Sequence, residues 1–222
     1  MSLGGIMRPG GARRDGDRVG AAPDGAVPES TRSRLVEAAS ELFAERGYER
    51  TSTQDIARRA GLTTGAIYSN FRGKRELLLA AISQPAEALR SRVGGARRAG
   101  ASALDLIRAG SHRLVAHRGR RERSILVNAL VLASRDAIVG HKLRQGLART
   151  FRDFGNLVRE GQTEGSIDPM VDVDAYVHYA YAVTFGAYLL EAAGMPAPDQ
   201  MAWDGLMDRF LSALSTEAPA AT

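Results

Sequence analysis

The chain has 222 residues, 44% of them apolar and 25% charged, with a net charge of +5 and no cysteine. That length suits one two-part unit with a packed core rather than several independent domains. The missing cysteine excludes a disulfide framework, a thiol nucleophile and a Cys-based zinc site, and is compatible with a reducing compartment.

Residues 1–29 are rich in Gly, Arg, Asp and Pro without an apolar pattern, which predicts a disordered tail. Its arginines, Arg8, Arg13, Arg14 and Arg18, are matched by four acidic residues, so it reads as a passive tail rather than a DNA-binding arm. A head over 30–80 follows. Its first helix, near 31–46, carries Leu35, Ala38, Ala39, Leu42 and Phe43 at the spacing of an amphipathic stripe and ends at Gly47.

Two short helices follow within 52–71. Ser52 or Thr53 can accept a hydrogen bond from the unpaired N–H groups that open the first, and Ile56, Ala57 and Ala60 fall on one face of it. Gly61 permits the bend that stops it. Thr63 caps the second, which turns Ile67 and Phe71 inward at a four-residue spacing and leaves Thr64, Ala66, Tyr68 and Asn70 pointing away. Two such helices on a tight glycine turn form a helix-turn-helix, whose second helix enters the DNA major groove.

A fourth helix is expected from Lys74 to about 93, kinked at Pro85 and broken at Gly94-Gly95. Beyond Ala101, helical patterns alternate with short Gly/Pro breaks, giving helices near 102–117, 121–138, 141–162, 172–193 and 199–215. No run alternates with the period of a strand. The chain is therefore expected to be all-α, with a three-helix helix-turn-helix head, a larger body over 81–216 and a flexible end at 217–222.

The 172–193 segment is apolar nearly all round, with stripes through Val173, Tyr176, Val177, Ala180, Val183 and Ala187 and through Ala175, Tyr179, Ala182, Phe185 and Leu189. Such a helix must be covered on more than one side. The 199–215 segment has a single stripe of Trp203, Leu206, Met207, Phe210, Leu211 and Leu214. Together they predict a homodimer formed through 172–193 and 199–215.

Charge is polarised. Residues 30–80 hold nine basic and six acidic residues, 81–155 hold fifteen and five, and 156–222 hold two and ten. A basic front and an acidic end suit a molecule with one pole toward phosphate.

Catalytic chemistry finds no support. His112, His117, His141 and His178 lack a paired-ligand arrangement, His112 and His117 being five apart on different helix faces, and no phosphate-cradling glycine loop occurs. No enzyme activity, cofactor or metal is expected. The longest mostly apolar run, 180–190, is about half the roughly 20 residues that span a bilayer, and the N-terminus lacks a secretory core, so a soluble cytoplasmic protein without membrane contact is expected. In the body, aromatic side chains including Tyr176, Tyr179 and Phe185, with Asn128 as a polar group in an apolar run, are candidates for lining an effector pocket.

One stretch resembles a known family. Leu35 to Tyr48, Asp55-Ile56-Ala57, Ala60-Gly61, Gly65-Ala66-Ile67-Tyr68, Asn70-Phe71, Lys74 and Glu76-Leu77-Leu78 resemble the TetR family of bacterial transcriptional regulators over about fifty residues. Asn70 stands where many members carry histidine, and Lys74-Arg75-Glu76 where Lys-Glu is commoner. The resemblance implies a homodimer whose last two helices form a four-helix interface, with an effector pocket in the body. On the helix-turn-helix reading, Thr64, Ala66, Tyr68 and Asn70 sit at the groove, while Thr53, Thr63 and Lys74 contact phosphates. The expected function is that of a repressor released from a palindromic double-stranded DNA operator by a small, largely apolar effector. Alternatives are an activator, a ligand-independent regulator, a non-specific nucleoid-type binder, or an enzyme or carrier body with a retained head.

Overall fold

In a computed structural model of the chain, residues 30–115 and 119–216 are described. His117 and both predicted tails lie outside them. Among the described residues the chain is all-α: α1 (Thr31–Arg46), α2 (Thr53–Arg59), α3 (Thr64–Asn70), α4 (Lys74–Arg98), α5 (Ala103–His112), α6 (Arg120–Ala133), α7 (Ala137–Glu164), α8 (Val173–Ala192) and α9 (Gln200–Ser212). Most begin at a side chain that accepts an otherwise unpaired N–H. Ser30 caps α1, Ser52 α2, Thr63 α3, Ser102 α5, Asp136 α7, Asp172 α8 and Asp199 α9.

The apolar residues gather into two cores. The first joins Leu35, Leu42 and Phe43 of α1, Ile56 of α2, Ile67 of α3, and Leu77 and Leu78 of α4 to Ile125 and Ala129 of α6 and Leu143 of α7. The second lies at the far end of the body and holds Leu104, Ile107, Val158, Ile167, Tyr176 and Leu211. The hydrophobic interior of the head thus runs on past residue 80 into α6 and the start of α7. Val36 and Ser40, which lie off the predicted α1 stripe, are also buried, because α6 covers α1 from a second side.

Several helix boundaries differ from those expected: α5 ends at His112 rather than near 117, and two further differences follow from packing. First, α4 does not stop at Gly94-Gly95 but runs 25 residues to Arg98, passing through Pro85. Its end is held from outside: Arg97 pairs with Glu160 at 3.1 Å and Glu164 at 2.8 Å on α7 and donates to the Ala101 carbonyl at 2.7 Å. Farther forward, Arg75 pairs with Asp136 at 2.8 Å and Arg90 with Asp153 at 3.9 Å. Arginines on α4 thus meet acids of α7 and its cap in one register, so the two helices run parallel and side by side. Tertiary contacts override the weak helix propensity of the two glycines.

Second, α6 ends at Ala133 rather than near 138, and α7 starts at Ala137 rather than 141. Gly140, which falls in the expected gap between the helices near 121–138 and 141–162, lies buried in the first turn of α7. A Cβ there would stand 2.9 Å from the Ala133 carbonyl oxygen. This glycine permits close approach of two helices, a role that linear pattern does not separate from a break.

Two substitutions test this packing. Ile125→Ala should cost about 3 kcal/mol in denaturant unfolding and should speed amide exchange in α1 as well as α6. Gly140→Ala should destabilise through the backbone clash, by about 1–3 kcal/mol. Unchanged α1 exchange in Ile125→Ala would separate the head from the body's core.

Candidate DNA-binding site

The geometry of the head follows from its caps. The Ser52 hydroxyl accepts the Asp55 N–H at 3.1 Å, and the Asp55 carboxylate accepts the Ser52 N–H at 3.2 Å, which closes a capping box. Hydrogen bonds from the Ser52 side chain and backbone, with Arg58 adding to them, hold the Asp55 carboxyl below its usual range. Arg59 spans from α2 to Glu41 at 2.8 Å and Glu45 at 3.0 Å on α1. Gly61 has φ +64° in the turn between α2 and α3. Arg34 of α1 backs this turn, donating to the Ala60 carbonyl at 2.7 Å.

Ile67 is fully buried and Phe71 is 2% exposed, so α3 is anchored along one side and its other side faces out. Tyr68 is 63% exposed. Thr64, Ala66 and Asn70 are half-buried on or beside the same helix. The Asn70 amide donates to the Ala66 carbonyl at 2.8 Å. The Thr63 hydroxyl accepts the Ala66 N–H at 3.4 Å, and Thr53 opens α2. The structure therefore brings Thr53, Thr63, Thr64, Ala66, Tyr68 and Asn70 onto two adjoining helices.

Lys74 differs from the picture of a side chain extended outward. Its ammonium donates to the Tyr48 carbonyl at 2.9 Å and lies 4.1 Å from the centre of the Tyr48 ring. It ties the start of α4 to the turn after α1, using one of its three N–H donors. Arg32 was not singled out by pattern. Its guanidinium lies 4.7 Å from the centre of the Phe71 ring, at the end of α3, with the residue exposed. Only the tertiary fold brings these two residues together, and no spacing in the sequence signals it.

In the body, three candidate effector residues join one run of aromatic contacts. The Tyr176 ring lies 5.7 Å from Phe154 and 6.5 Å from Phe210, and Tyr179 lies 5.0 Å from Phe210. Phe185 lies 5.9 Å from Tyr181 and 6.4 Å from Tyr188, and Tyr181 stacks on Phe151 at 4.2 Å. Burial pushes the Tyr176 and Tyr181 hydroxyls up to about 12. Asn128 is not with them. Its amide donates to the Ser124 carbonyl at 2.8 Å, and its carbonyl oxygen stands 3.6 Å from where a Cβ on Gly47 would lie, against the head.

An open cleft of about 590 Å³ lies elsewhere, beside Arg97, Ser102 and Glu164. A second of about 430 Å³ lies beside Gln162, Val171 and Asp172. Neither is lined by the candidate effector residues. Among the described residues no His, Asp and Glu side chains gather in threes as a metal site, and no helix is long and apolar enough to cross a membrane.

Residues 35–81 match the family described as bacterial regulatory proteins, tetR family. The HTH-type transcriptional regulator SrpR of Pseudomonas putida is 43% identical over 58 residues, 26% of this chain and 27% of SrpR. The HTH-type transcriptional activator FasR of Mycolicibacterium smegmatis is 36% identical over 95 residues, 43% of this chain and 39% of FasR. The chain thus matches only between about a quarter and two fifths of these relatives' length. The structure of the ketosteroid transcriptional regulator KstR2 of Mycobacterium tuberculosis superposes with a TM-score of 0.59 at 23% identity, over 87% of this chain and 98% of KstR2. The family match in sequence spans residues 35–81, while likeness in fold extends over most of the chain. Residues 35–81 thus carry a head that matches the tetR family of bacterial regulatory proteins, on a chain whose fold is shared with solved transcriptional regulators.

Proposed function

We propose that the chain is a sequence-specific DNA-binding transcriptional regulator that acts as a homodimer, and that it represses until a small, largely apolar effector releases it. The observation that carries this reading is the outward side of α3, with Tyr68 exposed on a helix locked from behind by Ile67 and Phe71. A rigid helix with one free side is what a major groove admits. Thr64, Ala66, Tyr68 and Asn70 meet the groove. Thr53, Thr63 and the remaining donors of Lys74 meet phosphates, and Arg32 and the exposed Arg72 add charge at the end of α3. Since few long hydrogen-bonding groups face outward, specificity rests in part on methyl contacts and DNA shape.

A dimer is supported by α8 and α9. Of the 20 residues of α8 only Tyr176 and Val177 are buried, while Tyr179 is 44%, Leu189 55%, Leu190 58% and Leu206 56% exposed. Exposed apolar surface of this kind is best covered by a second copy. On this reading the effector binds along the aromatic run that leaves the second core, where Phe185 and Tyr181 are only half-buried. Activation is the second reading, favoured by the match to FasR, which is named an activator and aligns past the head.

Selection of bound DNA from a random pool, followed by a screen for compounds that release it, tests the whole reading. A near-palindrome with half-sites about 34 Å apart is expected. Placed upstream of a reporter, the selected site should lower expression, and raised expression would instead favour activation. Tyr68→Ala should weaken binding to that site by about tenfold or more without moving the melting temperature, because the side chain is largely exposed. Leu189→Glu should yield a folded monomer by light scattering, and a wild type that is monomeric at micromolar concentration would overturn the dimer.

A further inference from the structure

The first turn of α6 grips two other elements at once. On one side Arg120 pairs with Glu191 at 2.9 Å and Arg123 pairs with the same carboxylate at 2.5 Å. Glu191 lies in the last turn of α8, the apolar helix of the body. Arg123 is 8% exposed, and its guanidinium stands 5.9 Å from the centre of the Tyr188 ring, also on α8. On the other side Arg121 pairs with Glu37 at 2.5 Å and Glu41 at 3.6 Å, both on α1 of the head. Glu41 is shared with Arg59 of α2, which also holds Glu45. An unbroken chain of charge contacts therefore runs from the end of α8 through one turn of α6 to α1 and α2.

We infer that Arg120, Arg121 and Arg123 with Glu191 are positioning residues for the DNA-binding head, coupling the end of α8 to the seating of α1 and α2 without touching DNA. Three observations make this more than a set of surface ion pairs. Arg123 is buried, so its bond to Glu191 is screened far less by solvent than an exposed pair. The turn that bears these arginines continues into Ile125 and Ala129, which are 2% and 0% exposed in the head's own core. The turn is thus rigidly joined to what it moves. Lastly, the α4 helix is tied to α7 at Arg75, Arg90 and Arg97, so the α6 turn is a second route from body to head, independent of the covalent one. A shift of the end of α8, whether from an effector on the aromatic run or from a partner copy, pulls on Glu191 and through it on α1.

The inference rests on the DNA-binding reading above, and the test separates the two. The full chain and its Glu191→Gln, Arg121→Gln and doubly substituted forms are compared for affinity to a DNA site selected with the wild type. Amide exchange over 31–71 is compared in the free proteins. Each single substitution should lower affinity several-fold, within the about two- to thirtyfold range of coupled sites, and should speed exchange in α1 and α2. The two should not be additive, the double form being no weaker than Arg121→Gln alone, because both cut one path. Arg121→Lys should restore most of the affinity. Losses that simply multiply, or exchange in α1 and α2 that ignores Glu191→Gln, would overturn the coupling. A wild type that selects no DNA would instead sink the DNA-binding reading, while the exchange measurement would still decide whether Glu191 reaches the head.

Discussion

The packing of α6 against α1 is the contact on which the rest of the molecule depends. A three-helix head of about fifty residues buries too little apolar surface to be comfortably stable alone. Here its interior is completed by Ile125 and Ala129 of α6 and Leu143 of α7. Burying a side chain such as Ile125 stabilises by about 1.5–3 kcal/mol, a sizeable share of the stability of a small domain. The head is held by the body as much as it is carried by it. Whatever α3 meets, its orientation is set by a core that reaches α7.

Around that core the charged residues play a different part. Exposed ion pairs are individually worth about 0–1 kcal/mol, so the pairs from Arg75, Arg90 and Arg97 to α7 add little stability each. What they fix is register. Arginines lie on one helix and acids on its neighbour, and sliding or rotating α4 against α7 would unmatch several pairs together. Of the fifteen basic residues in 81–155, Arg90, Arg97, Arg108, Arg120, Arg121 and Arg123 hold acidic partners. The net charge of that segment overstates how many of its cations face the solvent alone.

Much of the head was legible in the sequence because its signals are local. Caps at Ser52 and Thr63, the turn glycine Gly61 and the four-residue step from Ile67 to Phe71 all act within one or two helical turns. The chain reads them where they stand. The body was legible in class and in helix count, but less so at its boundaries. Gly94 and Gly95 carry a breaking signal that Arg97 and its partners on α7 overrule, and Gly140 carries one that is in truth a close contact with Ala133. The candidate site divides the same way. The outward side of α3 follows from periodicity, whereas the inward turn of Lys74 onto Tyr48, the seat of Arg32 on Phe71 and the place of Asn128 against Gly47 are facts of tertiary geometry. Asn128 looked like a pocket residue because its neighbours in sequence are apolar. They are apolar because they pack on the head.

Asp136 has a consequence of its own. It accepts the N–H groups of Ile138 and Val139 at 3.0 and 3.1 Å and also holds Arg75. Four residues on, Gly140 meets the Ala133 carbonyl. The rotational phase of the 28-residue α7 is therefore set within its first turn, and everything farther along inherits that phase: Asp153 opposite Arg90, Val158 in the second core, Glu160 beside Arg97, and Gly161, where a Cβ would stand 2.5 Å from Ile167. Each added residue turns a helix by about 100°. A single insertion within α7 just after Gly140 would swing all of these away from their partners together, so this part of the helix is closed to changes in length that the longer stretch before α9 can absorb.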